Sequence, residues 1–442
     1  MTLTLCALAL AGAATAAYFA VAIRRIMLSL RVTPRLAAYA ARPVVSEPPT
    51  VCVVVPAHNE ERVIGRAVRS ILAQDHPSLC VVFALDRCTD GTRAILDRAA
   101  AGDERVEIVE IDSCPDDWAG KTHALGQGVA RSSAARAADL LLFLDADTEM
   151  APSCVRSAVA LLTESDSDLV SLLGRLSRDR WYERIVQPMT SLELMRQNPL
   201  FRVNRAHSRT SFANGQFLLF RRSAYQAIGG HARVKDDLLE DLAFARALKQ
   251  DERPWVVALA GTMLRVRMYG SWDAFHRGWK RIFIESAYRR PERLRVYARL
   301  VRIAYTLLPT LSLMALVSGA IAVTDGGGVA AVAALGAGGV GLGAWLVAMT
   351  MALAAQGASV ASLIASPVGA WLTGGILAEA AVDLELNRPL PWGGRVYTDL
   401  APPTPARFAS RGPADTLPGS CESSSPTTTA SAPPGSRPST TP

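Results

Sequence analysis

LLLFLDADT, residues 140–148, decides how the rest of the chain is read. An unbroken Leu/Phe run ends in two carboxylates, Asp145 and Asp147, with only Ala146 between them. A short, continuously apolar run of this kind reads as a strand buried on both faces. Side chains alternate along an extended strand, so Asp145 and Asp147 project to the same side where the strand leaves the core. Carboxylates held that close repel each other unless a cation lies between them. Oxygen ligands suit Mg²⁺ or Mn²⁺, ions that also hold substrate phosphates. Two acids at a solvated strand-to-loop junction would give the same letters, so the neighbouring segments carry the decision.

Upstream, strand and helix signals alternate. VCVVV (51–55) is a buried strand, and residues 60–72 place Val63, Ile64, Ala67, Val68 and Leu72 at helical spacing. A second strand follows at 79–85, a second helix at 92–101, a third strand at 106–111, and a helix at 123–138 that leads into 140–144. This alternation predicts an α/β domain on a parallel sheet, with ligands bound at the carboxyl ends of the strands. The soluble domain is placed at residues 45–300.

Both ends of the chain are different in character. Residues 3–23 are uncharged over about the 20 residues that span a bilayer. Arg24, Arg25, Arg31, Arg35 and Arg42 come after this stretch, with no acid before Glu47. A secretory signal has the opposite polarity, so residues 1–24 read as an anchor with its N-terminus outside. Within 301–385, three apolar stretches, 303–323, 330–354 and 360–382, read as crossings. Three crossings would put the C-terminus outside, whereas WGGRVY (392–397) reads as a membrane-surface contact on the catalytic side. A re-entrant or interfacial segment among the three would reconcile the two. Residues 386–442 comprise this contact and a tail, of which 401–442 is Pro/Ser/Thr-rich and reads as disordered.

Composition narrows the partners. Of 442 residues, 50% are hydrophobic and 20% charged, a balance that points to a membrane protein. The net charge of +7 is local. A second basic cluster runs through Arg277, Lys280, Arg281, Arg289, Arg290, Arg293, Arg295, Arg299 and Arg302, beside an apolar stretch. Both clusters read as flanks drawn to anionic lipid. Nothing interleaves aromatic and basic residues as single-stranded nucleic acid requires, so nucleic acid is excluded as a partner. Seven scattered cysteines, none spaced C-x-x-C, imply neither zinc nor a disulfide framework.

Chemistry-bearing residues cluster after the strands. The first strand ends in PAHNEE (56–61) and the second in LDRCTDGT (85–92). Asp86 at a strand end can accept two hydrogen bonds from an edge such as that of uracil. Asp90 is best read as a helix cap, and Glu60 and Glu61 equally suit a helix's first turn.

Taken together, VVVPAHNEE, ALDRCTDGT, AGKTHALGQG and LLFLDADTEM resemble the family 2 glycosyltransferases with the GT-A fold. The resemblance continues through FANGQFLLFRR (212–222), AIGG (227–230) and LEDLAFA (239–245), and covers about residues 50–290. With apolar segments at both ends, the chain is similar to the bacterial branch that glycosylates carotenoid-, hopanoid- or ceramide-type lipids. The resemblance implies an inverting transfer from a UDP- or GDP-type nucleotide sugar to a lipid acceptor, at the inner membrane, with a cytoplasmic catalytic domain. By motif it places Pro56, His58, Glu60, Asp86 and Lys121 at the nucleotide. It places Asp145 and Asp147 at a metal-bound diphosphate and makes Asp241, beside Glu240, the general base. A metal would neutralise the departing diphosphate while a carboxylate takes the acceptor proton. Tyr269, Trp272, Phe275 and Trp279 with their basic neighbours form a candidate aromatic belt where a lipid reaches the site.

Two departures qualify the match. The second motif has Arg87 and Cys88 where the family usually has Asp and Ser. The Q-x-x-R-W motif of processive synthases is absent: FHRGWKR (275–281) keeps Trp279 but lacks the Gln and Arg at that spacing. This favours a single transfer over a polysaccharide synthase. A non-catalytic sugar-nucleotide-binding membrane protein is disfavoured because Asp145, Asp147 and Asp241 are all present.

Overall fold

The computed structural model describes residues 1–42, 47–205, 208, 210–393, 395–398 and 400. The expected tail at 401–442 lies outside the described residues. The strand expectations hold: β1 is Val51–Ala57, β2 Leu79–Asp86, β3 Val106–Ile111 and β4 Leu140–Leu144. Val51 to Val55 and Leu141 to Leu142 are fully buried, as a strand covered on both faces requires. Two helices differ in extent. The first begins at Ile64, not 60, because the Glu60 and Glu61 amides donate to Thr92 Oγ1 and Asp90 Oδ2 in the neighbouring loop. The helix expected over 123–138 is two, Gly120–Arg131 and Ser133–Ala137, broken at Ser132, whose hydroxyl accepts the Ala135 amide.

The sheet is mixed, not wholly parallel. β3, β2, β1 and β4 are parallel neighbours. Beyond β4 come β7 (Phe217–Arg221), β6 (Leu169–Leu176), β8 (Trp255–Val266) and β5 (Thr148–Met150), in that order. β7 is antiparallel to both β4 and β6, so β4 and β6 point the same way. β8 is parallel to β6. The start of β7 and the ends of β1, β2, β4, β6 and β8 therefore share one edge, and the candidate site lies there.

Among the described residues three helices are long and apolar enough to cross a membrane: Thr2–Val32, Pro291–Thr324 and Val329–Gln356. Their close packing depends on small residues. A Cβ on Gly12 would lie 2.6 Å from Ala337 C, and one on Gly341 2.5 Å from the Gly12 carbonyl oxygen. Thr15 and Ser312 hydroxyls bond across the interface at 2.9 Å. Their outer faces leave Leu10, Ile321, Val329 and Val340 exposed. The stretch 360–382, expected as one crossing, is instead two helices, Val360–Ile364 and Ser366–Glu385. The second buries Ala370, Ile376, Leu377 and Ala380 and carries acids that pair with the basic cluster, Asp383 with Lys280 and Glu385 with Arg295. Part of that cluster is thus an internal interface and not a lipid-facing flank.

Candidate active site

The carboxylates expected at the strand ends do converge. Asp145 and Asp147 follow β4, and the Asp145 amide donates to the Gln216 carbonyl at the start of β7 at 3.4 Å. Lys121, in the first turn of the helix Gly120–Arg131, places its Nζ 2.6 Å from Asp145 Oδ1 and 2.5 Å from Glu240 Oε1. Asp241 sits beside Glu240 at the start of the helix Glu240–Gln250. Its Oδ2 accepts the Gly215 amide at 2.6 Å and its Oδ1 the Leu242 amide at 2.7 Å. Gly215 suits this approach: a Cβ there would stand 3.1 Å from both Asp241 Oδ2 and Glu240 Oε1, so the two carboxylates would have to shift by a few tenths of an ångström.

One ammonium among five acids leaves the cluster strongly negative, and the titration behaviour shows it. Burial, then Asp145 and Asp90, pushes the Glu60 carboxyl up to about 7. Burial, then Asp145 and Glu60, raises Asp147. Burial, then Glu240, pushes Asp241 up to about 6, against Lys121 and its two amide donors. Burial alone would discharge Lys121, but Asp145 and Glu240 hold it well above the ordinary lysine range. Asp147 Oδ1 is buried with no hydrogen-bond partner. A hard-oxygen donor set with an orphaned oxygen and surplus negative charge fits a divalent cation. Among the described residues no three His, Cys, Asp or Glu side chains form a ready cage. A cation held by Asp145 and Asp147 would draw its other ligands from water or phosphate oxygens.

The residues expected at the nucleotide lie together at the ends of β1 and β2. Pro56 is in β1, opposite Ala84 of β2. His58 Nδ1 is 2.6 Å from the Asp86 carbonyl oxygen. The Asp86 carboxylate is held by Arg87, through Nε at 2.8 Å and Nη2 at 2.6 Å. Arg87 thus replaces the family's usual acid with an ion pair on the very carboxylate expected to read the base. Asp90 was read as the helix cap, but the N-cap is Gly91; Asp90 stands one residue before it and accepts the Thr92 amide at 3.0 Å.

Three features escaped the sequence. Arg281, read as part of a membrane flank, is buried, donates to the Leu238 carbonyl at 2.7 Å, and adds positive potential at Asp145. The segment WGGRVY forms a hairpin, β9 (Leu390–Trp392) and β10 (Arg395–Tyr397), that rests on the loop before Lys121. Arg395 donates to the Pro115 and Trp118 carbonyls at 2.8 Å each, and the Gly120 amide donates to Tyr397 Oη at 3.4 Å. This places the hairpin against the catalytic domain, where a membrane-surface contact was expected. The third feature is a cavity of about 580 Å³ between the membrane-length helices and the sheet edge. Its walls include Tyr18, Met268, Tyr305, Ala352 and Gln216.

The two tryptophans separate. Trp272 packs between Trp181 and Phe275, with ring centroids at 5.0 and 5.6 Å, and Trp181 is 52% exposed. That pair fits a rim. Trp279 is only 3% exposed and lines the cavity, so it is an internal wall residue and not part of a surface belt.

Residues 52–229 match the model of the Glycosyl transferase family 2 family. A 4,4'-diaponeurosporenoate glycosyltransferase of Staphylococcus aureus is 26% identical over 230 residues, covering 51% of this chain and 59% of that protein's length. Among solved structures, a mannosyltransferase from Pyrobaculum calidifontis, in complex with GDP-Man and Mn²⁺, is similar at 18% identity and a TM-score of 0.45, over 86% of this chain and 99% of that one. A glucosyl-3-phosphoglycerate synthase from Mycobacterium tuberculosis, with Mg²⁺ and UDP, gives 19% identity and a TM-score of 0.36, over 58% and 86%. The acidic strand ends at residues 57–60, 86 and 145–147 fall inside the segment similar to that family, and Glu240 and Asp241 lie beyond it.

Proposed function

We propose that the protein is a membrane-bound inverting glycosyltransferase that moves one sugar from a nucleoside-diphosphate donor to a lipid acceptor. The observation that carries this reading is the gathering of Asp145, Asp147, Lys121 and Asp241 at one sheet edge. Asp145 and Asp147 would hold a divalent cation, which when bound offsets the charge of the donor diphosphate. Lys121 supplies a fixed positive charge beside the same carboxylates. Asp241, with its carboxyl up at about 6, is poised to take the proton of an acceptor hydroxyl near neutral pH. Its two amide donors fix the direction of its free lone pairs. Asp86, His58, Glu60 and Pro56 border the place for the nucleotide at the ends of β1 and β2.

The membrane and lipid parts of the reading draw on three helices of spanning length, a cavity between them and the site, and a relative named for diaponeurosporenoate glycosylation. With the basic flank Arg24 to Arg42 inside, the catalytic domain is cytoplasmic at the cell membrane. Calorimetry of UDP and GDP binding, with Mn²⁺ and then with chelator, tests the donor site. Equal affinity with and without metal would remove the cation from the proposal. Chromatography of the lipid product tests the single transfer, since a ladder of sizes would show a polymerase.

A further inference from the structure

Resting on the lipid-acceptor reading, we infer that the acceptor carries an anionic head, a carboxylate or a phosphate, received in the cavity by Arg175 and Arg178. The hydrocarbon side of the cavity comes from the membrane-length helices, through Tyr18, Tyr305 and Ala352. The opposite wall is polar in a way that nothing inside the protein satisfies. Thr33 Oγ1, Ser191 Oγ and Trp279 Nε1 are buried atoms with no hydrogen-bond partner, and all three residues line this one cavity. Thr33 is 4% exposed and Trp279 3%. Buried polar groups are nearly always paired, so three orphans around one cavity point to a ligand that pairs them.

Charge selects the ligand. Arg175 lies in β6 and Arg178 just beyond it, on the edge that also holds Asp145. Among the described residues neither guanidinium has a carboxylate partner. Arg178 reaches only the Gln356 carbonyl, and burial followed by the charge of Arg175 works to discharge it. Arg196, on the same wall, shows the contrast, since Glu193 neutralises it at 2.7 Å. Arg178, partly buried, and Arg175, exposed beside it, put two guanidiniums without a carboxylate partner among the described residues on the lining of an otherwise largely apolar chamber. That lining matches a carboxylate or phosphate head, which can accept from both. Gln216, also on the wall, takes the Asp145 amide through its carbonyl, so the chamber adjoins the acidic site.

The test uses the full chain in nanodiscs of neutral phosphatidylcholine, with radiolabelled palmitate, hexadecyl phosphate and hexadecanol as probes. One or both anions should bind at least tenfold tighter than hexadecanol, and the tighter of the two identifies the head. R175Q or R178Q should erase roughly tenfold of that preference, the range for loss of a charged hydrogen bond. R175K and R178K should keep most of it, and hexadecanol and UDP binding should not change. R24Q, at an exposed arginine outside the cavity, should have no effect. Equal binding of all three probes to the wild-type chain would overturn the anionic head and leave the lipid acceptor standing. R24Q weakening palmitate as much as R175Q would overturn it as well, by showing a general surface effect. If no probe binds while UDP still binds with Mn²⁺, the lipid-acceptor reading falls too.

Discussion

Lys121→Met removes the one ammonium that Asp145 and Glu240 share, at 2.6 and 2.5 Å, and leaves its volume nearly intact. Breaking a fully buried ion pair by deleting one partner costs ~3–5 kcal/mol, because the other charge stays buried and uncompensated. Here 29% of the Lys121 side chain and 27% of Asp145 remain exposed. Solvent screening brings the expected loss to about 2–3 kcal/mol. For a domain of this size that is a fall in Tm of roughly 4–12 °C. The sign with pH follows from the neighbouring carboxyls. Burial raises Asp241 from 3.8 to about 6 and Asp147 from 3.8 to about 8, in each case against the lowering charge of Lys121, so the folded state keeps protons that the unfolded chain gives up. Stability from such a group is complete below its unfolded value and is lost as pH rises through the folded one. Without Lys121 this loss deepens, so the variant should approach wild type near pH 5 and fall furthest behind near pH 8. Mn²⁺ should restore part of the gap at pH 8, since a cation at Asp145 and Asp147 does what the ammonium did. Differential scanning fluorimetry in detergent at the two pH values, with and without Mn²⁺, measures all of this. A Tm drop of the same size at pH 5 and pH 8 would refute the reasoning, because the lysine would then be packing and not compensating charge.

Asp147→Asn should weaken Mn²⁺-dependent UDP binding measured by calorimetry, through loss of one ligand charge, with little change in binding when chelator is present. Asp241→Asn should lower turnover on a hydroxyl acceptor by roughly 10²–10⁴-fold with the donor Kd nearly unchanged, because a general base acts in the transition state. On an acceptor whose nucleophile is a carboxylate or phosphate oxygen the same variant should lose far less, and steady-state kinetics on both acceptor types decides it. Trp279→Phe keeps most of the buried volume, so stability should fall by only about 1–2 kcal/mol, read as a small drop in Tm. The KM for the lipid should rise several-fold with the KM for the nucleotide sugar unchanged, as kinetics in detergent would show.

What the sequence made legible was what is local. The strand at 140–144 appears with the expected bounds because a continuous apolar run needs no distant information to be read. The helix at 123–138 was misjudged because Ser132 sits at a helical position yet uses its hydroxyl to start a second helix. The mixed sheet was out of reach: β7 enters antiparallel beside β4 after a long excursion, and only tertiary pairing sets that direction. Asp145 and Asp147 could be singled out from their spacing at a strand end, Lys121 and Asp241 only through the family resemblance, and the fold brings Lys121 to Asp145. Arg281 was lost in a run of arginines, since composition cannot separate an arginine facing lipid from one buried under Trp392. The cavity could not be foreseen, because its walls come from segments between Tyr18 and Gln356 that only the fold brings together.

The transfer proposed above, from a water-borne donor to a bilayer-borne acceptor, would have to hold both without letting water take the sugar, and the helix Trp272–Ser286 links the two sides on which this would depend. On one side, Trp279 forms a wall of the cavity. On the other, the Arg281 guanidinium lies 3.6 Å from the centre of the Trp392 ring, in the hairpin that rests on the loop before Lys121. The same guanidinium donates to the Leu238 carbonyl, three residues before Asp241. Cation–π stacking and a charged hydrogen bond are each worth only about 0.5–3 kcal/mol. Their effect on catalysis is positional, because an acid–base group and an electrostatic site lose rate steeply when misplaced by an ångström. Arg281→Lys should therefore separate charge from geometry. It keeps the positive potential at Asp145 but cannot both stack flat on Trp392 and reach Leu238. UDP binding with Mn²⁺ should be largely kept while turnover falls, and a variant with full turnover would show that the hairpin and the Leu238–Asp241 segment are positioned independently of this arginine.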